Sequence, residues 1–394
     1  MDVKKYPAPE STSRLQQRAL LVGGIALLLA IVGWLRSPEQ FFHSYLMGYM
    51  LVLGITLGSL GLVMLQHLTG GHWGIIIRRP LESATRTLPL LAILFLPIIF
   101  GMKYLYAAWL DPERVKEEPL STLQQSYLTA HGFLARAVIY FVIWLVLMLL
   151  FNRWSKQQDI NRSDRSLRRR FKMLAGPGII LYVFAMSFAA FDWVMSLSPH
   201  WASTIYGFLF VAGQLISSMS FMIAVTVLLS QTAPMAGLIQ KRHIHDLGKF
   251  LLAFVMLWAY FNFSQLLIIW SGNQPEEITF YRSRLYGQWG VVAVIVLVFH
   301  FFVPFFLLLS RDLKRNPRVL PRIAIWLMFM RLVDLFWMTR PEFTARALPS
   351  WLDIVVPVAL VGLWLGYFAF NLKKLPLLPL GEPKLAEAIA PLEH

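Results

Sequence analysis

Asp192, Arg136, Lys103, Arg331 and Asp334 all fall inside long apolar stretches of a 394-residue chain. An ionised side chain at mid-bilayer costs roughly 2.5–3.5 kcal/mol to insert, so a charge there is paired, close to an interface, or functional. Arg331 and Asp334 are three apart, which lets them meet on one helical face as a self-neutralising pair. Asp192 has no basic neighbour on its own helix, so Lys103 or Arg136 from another helix is the expected partner. At about 1.5 Å of rise per residue, Lys103, Arg136 and Arg331 lie on the order of 10 Å inside one membrane boundary. Asp192 and Asp334 lie on the order of 6 Å inside the same boundary, with His43, His131, His200 and Asp353 at its surface. A carboxylate beside His and Lys or Arg at that depth could accept protons from a quinol or open a proton exit. An ion pair that fixes helix packing accounts for the same residues.

Other polar groups carry weaker signals. Ser198 suits a helix N-cap and Pro199 a first turn, which would set His200 at a helix N-terminus as a neutral hydrogen-bond partner. Tyr206 and Gln214 follow on the sixth apolar stretch, and Tyr260, Ser264 and Gln265 on the seventh. Such residues commonly serve close helix packing, and the alternative is a hydrated file that conducts protons. Gly54, Gly58 and Gly61 form a contact face on the second stretch. A bis-histidine haem needs two His at matching depth; His67 and His300 both fall in the cytoplasmic half, but His67 is near the end of its span and His300 lies deeper. No phosphate-cradling loop, metalloprotease helix or nucleophile elbow is present.

The elements that must position these groups are apolar helices. Of all residues, 57% are hydrophobic and 14% charged, against about 25% charged in a soluble domain. Ten apolar segments are readable, near 19–35, 42–68, 86–109, 129–151, 173–196, 203–230, 250–271, 285–310, 321–338 and 350–371. The expected fold is therefore an all-α integral membrane protein of ten transmembrane helices, one domain over 1–372 followed by a Pro-rich tail over 373–394. Of the 36 Lys and Arg, 26 fall in the two tails and the even-numbered loops, 7 in the odd-numbered loops and three within spans. That bias puts both termini in the cytoplasm and explains the net charge of +15 without nucleic acid. The N-terminal run lacks a small-residue cleavage site and is expected to be a retained first helix. The loop over 152–172, with Arg168, Arg169 and Arg170 in sequence, is expected to orient the chain and touch anionic lipid headgroups. Pro376, Pro379, Pro383 and Pro391 predict an extended or disordered tail, or one laid along a neighbouring subunit. The absence of cysteine excludes Cys-ligated iron-sulfur clusters and C-x-x-C-H haem attachment in this chain.

Residues 191–207 read FDWVMSLSPHWASTIYG and residues 258–277 read WAYFNFSQLLIIWSGNQPEE. Both strings resemble the ActF family, the second polysulfide-reductase-like (NrfD-like) membrane subunit of bacterial alternative complex III, a quinol:electron acceptor oxidoreductase. The resemblance spans essentially the whole chain. It implies two four-helix bundles, helices 2–5 and 6–9, flanked by helices 1 and 10. It also implies assembly in the bacterial cytoplasmic membrane with a sister NrfD-like subunit, a periplasmic iron-sulfur subunit and c-type cytochromes, oxidising menaquinol or another quinol. Within the matched strings it points to Asp192, His200, Ser264 and Gln265, with Glu276 and Glu277 as outer-loop contacts; Lys103, His131, Arg136, Arg331 and Asp334 rest on depth alone. The leading expectation is a subunit with no cofactor of its own and no catalytic residue, which braces the complex and offers a protonatable path. Alternatives are a quinol held near His131 or His200 at the outer surface, and an independent secondary transporter, for which the midplane offers no cluster of charges.

Overall fold

The computed structural model describes residues 6–162 and 165–390, and every regular element among them is a helix. The long ones are α1 (Glu10–Arg36), α2 (Pro38–Thr69), α3 (His72–Phe100), α4 (Ala130–Ile160) and α5 (Arg165–Trp193), then α6 (Tyr206–Ser230), α7 (Lys241–Gly272), α8 (Gly287–Leu309), α9 (Leu320–Thr339) and α10 (Leu352–Leu372). Nine of the helices among the described residues are long and apolar enough to cross a membrane. The other, α9, carries Arg322, Arg331 and Asp334 in its 20 residues. Large side chains such as Leu28, Val142, Phe263, Trp270 and Val291 face outward from α1, α4, α7 and α8, the inverse of a water-soluble surface and the arrangement lipid permits.

Packing organises α2 to α5 as one closed set, α2 against α3 and α5, α4 against α3 and α5. It organises α6 to α9 as a second, α6 against α7 and α9, α8 against α7 and α9. The central helices α2 and α6 join the sets, and α1 packs on α10, which packs on α2. Without a hydrophobic driving force in lipid, close helix approach depends on small residues. A Cβ at Gly58 of α2 would sit 2.2 Å from the backbone oxygen of Gln214 on α6, and one at Gly362 of α10 would sit 2.5 Å from Gly23 Cα on α1. Gly58→Ala is therefore expected to destabilise the detergent-solubilised protein by about 1–3 kcal/mol, the range for overpacking, read as a lowered thermal midpoint. An unchanged midpoint would show that α6 can shift at no cost.

Three sequence expectations change. The segment over 69–85, expected as a loop, is mostly helix, because Trp73, Ile75, Ile76 and Ile77 are buried and the charges between them are paired. Arg78 donates to Glu82 and Arg79 to Glu82, Asp159 and Ser155, all from buried positions. The tail is not free either. Leu375, Leu377, Leu378 and Leu380 are buried, the Leu377 amide donates to the Tyr6 carbonyl at 2.8 Å, and the Gly381 amide to Asp159 at 3.0 Å. Glu382 accepts from Arg78 at 3.0 Å, and a last short helix, Leu385–Ile389, is tied down by Gln240 and His243. The prolines end helices and turn the chain back over its own α3, α4 and α7; Pro391 lies outside the described residues. Both described chain ends thus meet at one end of the molecule, the end where α4 gives way to α5; the segment over 152–172, expected as a loop, is mostly the last turns of α4 and the first of α5.

Candidate functional site

Asp192 stands in the last turn of α5, fully buried. Its partner is Arg136 of α4: Nε donates to both carboxylate oxygens at 2.9 and 3.1 Å and Nη2 to Oδ1 at 2.8 Å. The Tyr140 hydroxyl donates to Oδ2 at 2.7 Å. These are charge-assisted bonds, about twice as strong as neutral ones. The guanidinium lies 3.8 Å over the ring of Tyr127, in a short helix (Thr122–Tyr127) preceding α4. Burial first, then the Asp192 carboxylate, push the Tyr127 hydroxyl up to about 12, so it keeps its proton at neutral pH. A wall of Trp193, Phe95, Phe141 and Trp144 closes the inner side, and Tyr106 donates to the Trp193 carbonyl at 3.0 Å.

The histidines and lysine expected beside this carboxylate are elsewhere. Lys103 is exposed, with its ammonium 4.9 Å over Tyr104. His131 is exposed in the first turn of α4 and makes no hydrogen bond or ion pair among the described residues. His200 is also exposed, 3.7 Å from Glu118. It does not open a helix: α6 starts at Tyr206, and Ser198 and Pro199 belong to a loop. That loop is held by Trp201 stacking on Phe280 at 3.8 Å and by Gln124 donating to the Pro199 carbonyl at 2.8 Å, so the chain stays out of a helical turn.

The second set of helices holds a second buried group. Arg331 donates to Asp334 on the same face of α9, as the spacing required, and Trp258 of α7 donates to Asp334 at 3.2 Å. Gly213 of α6 makes room: a Cβ there would lie 2.2 Å from the Arg331 guanidinium carbon. On the other side of the Trp258 indole, 4.5 Å away and edge-on, is His300. It is fully buried in a π-helical turn of α8 (Leu297–Phe302), and neither of its ring nitrogens nor Asp334 Oδ1 has a hydrogen-bond partner. His67 instead stacks on Phe171 in the first set at 4.0 Å, so the two histidines serve different sets and do not face one haem. Sequence offered little sign of His300's role, since an orphaned polar group is a property of tertiary packing.

The polar residues of α6 and α7 do not form one file. Gln214 accepts from Tyr182 of α5 at 2.7 Å, and Gln265 accepts from Ser203 at 3.0 Å and donates to Tyr281 at 3.0 Å. Tyr206 is buried among Trp201, Phe210 and Phe280, whereas Tyr260 is exposed on the outer face and Ser264 half-buried. Glu276 and Glu277 lie in the first turn of the Pro275–Leu285 helix. Glu276 lines an open cleft of about 1240 Å³ with His200, Glu118 and Glu342. A smaller apolar cleft of about 220 Å³, bordered by Tyr127, Phe191, Met195, Ser196 and Trp201, lies beside the Asp192 group.

No protein-family model matches the chain, and no curated protein matches it significantly. The arrangement itself supports two kinds of chemistry: proton transfer at the Asp192 carboxylate with Tyr140 beside it, or the fixing of helix register by paired charge.

Proposed function

We propose that the chain is a ten-span membrane subunit of a bacterial quinol-oxidising complex of the alternative complex III type, bracing the assembly and contributing protonatable groups. The observation that carries this reading is that the last helix of each set of four holds a buried carboxylate paired with an arginine, Asp192 of α5 with Arg136 and Asp334 of α9 with Arg331. Buried charge is costly in a membrane, and an ionisable pair kept inside a span is a candidate functional group. The excess of Lys and Arg on the tails and even-numbered loops supports a cytoplasmic position for both termini. Both carboxylates then lie nearer the periplasmic side, where quinol protons would leave. The partners would be a sister NrfD-like subunit, a periplasmic iron-sulfur protein against Glu276 and Glu277, and c-type cytochromes; the haems, clusters and menaquinol would belong to them.

Purification through a tag on this chain in mild detergent, with mass spectrometry and a visible spectrum, tests the reading. Co-purifying c-type haem, an iron-sulfur subunit and quinol oxidation are expected; a colourless chain that purifies alone and takes up a solute would overturn it. The apolar cleft beside Asp192 favours one second reading, a quinol bound by this chain itself. A photoreactive quinone analogue should then label Phe191 or Met195, and labelling confined to the sister subunit would remove it.

A further inference from the structure

At the opposite end from Asp192, three cations face one cleft without a carboxylate of their own. Arg168 and Lys172 of α5 and Lys384 of the tail line a cavity of about 130 Å³, and none of them makes an ion pair among the described residues. The cleft does contain an acid, Glu382, but Arg78 neutralises it at 3.0 Å. Among the described residues, no other carboxylate lining the cleft offsets the positive charge. One polar side chain in the lining is also incomplete. His67, stacked on Phe171, has no partner for its Nε2, which donates in one of its tautomers. A buried polar group is usually hydrogen-bonded, so this nitrogen is available to a ligand or a water in the cleft. The cavity holds roughly four water volumes at ~30 Å³ each, enough for a hydrated tetrahedral oxyanion.

Position narrows the ligand further. The cleft sits where α2 ends, at Thr69, and α5 begins, at Arg165, which is the level at which two membrane helices leave the apolar layer. Of its lining, Phe171 and Ile75 are buried and apolar, and the three cations are exposed. Basic clefts between membrane helices at this level suit phosphate headgroups.

We infer that this cleft binds a phosphate group at headgroup depth, supplied by an anionic phospholipid, and that the bound lipid clamps the C-terminal tail to α2 and α5. The inference needs only that the chain spans a membrane and is independent of any role in quinol oxidation. The test is native mass spectrometry of the purified full chain, in whatever assembly it carries, after incubation with phosphatidylglycerol, phosphatidylcholine or inorganic phosphate. Phosphatidylglycerol should be retained at least tenfold better than phosphatidylcholine. The triple variant Arg168→Gln, Lys172→Gln, Lys384→Gln should weaken that retention by about a hundredfold, from the per-cation headgroup attraction. The same triple change at Arg114, Lys116 and Arg346, on the other end, should leave it unaltered. If the first triple variant does not fold, Lys384→Gln alone, at an exposed tail position, should weaken retention about fivefold. Inorganic phosphate that binds alone and displaces the lipid would support the phosphate site and name the free anion as its occupant. Equal retention of both lipids, or retention indifferent to the triple variant, would overturn the inference.

Discussion

Arg136→Met is expected to destabilise the protein by about 3–5 kcal/mol, the cost of leaving a buried charge without its partner. The Asp192 carboxylate is fully enclosed and would retain only the Tyr140 hydroxyl, at 2.7 Å. Removing both charges is a different experiment. The double variant Arg136→Met, Asp192→Leu leaves no orphaned ion, and buried pairs replaced by apolar residues of similar volume are often neutral for stability. The double variant should therefore assemble and melt close to the native protein. Under the proposed role in quinol oxidation, turnover of the purified assembly then separates the two roles of Asp192. If the pair only fixes α4 against α5, turnover recovers with stability. If the carboxylate moves protons, the double variant folds and turns over slowly, and Asp192→Asn alone lowers proton release by about a hundredfold, the lower range for a positioned acid–base group. A folded double variant with native turnover would reduce Asp192 to a packing residue.

What the sequence made legible was whatever depends on local spacing or on the bilayer. The apolar segments appear because a membrane helix must satisfy its own backbone, and the Arg331–Asp334 pair because three residues separate them on one helix. The glycine face of α2 was visible for the same reason, and it receives Gln214 and Ser218 of α6. Contacts between distant segments were not legible. Depth placed Lys103 and Arg136 equally well beside Asp192, but only Arg136 points inward; Lys103 lies over Tyr104 at the surface. Ser198 and Pro199 have the chemistry of a helix start, and tertiary stacking of Trp201 on Phe280 overrides it. Tail prolines suggested freedom because their local effect is to forbid helix. Four buried leucines and the Arg78–Glu382 pair, made with segments some three hundred residues away, decide the matter instead.

That same pair belongs to the network with the largest expected effect on folding. Arg78 and Arg79 are adjacent and nearly inaccessible, so each repels the other unless carboxylates intervene. Glu82 is the one carboxylate that both of them reach, Arg78 through Oε1 at 3.0 Å and Arg79 through Oε2 at 2.6 Å. Ser155 of α4 donates to the same Oε1. Asp159 and Glu382 hold the outer sides, and the Gly381 amide closes on Asp159. Glu82→Gln keeps the shape and removes the central charge, leaving two buried guanidinium groups to share the outer carboxylates. A loss of about 3–5 kcal/mol is expected, with the tail still held, since Arg78 then has Glu382 as its one remaining carboxylate. A thermal melt in detergent reads the loss, and limited proteolysis reads whether the tail stays protected. A variant that melts as the native protein does would show that helix packing, and not this charge network, holds α3 against α4.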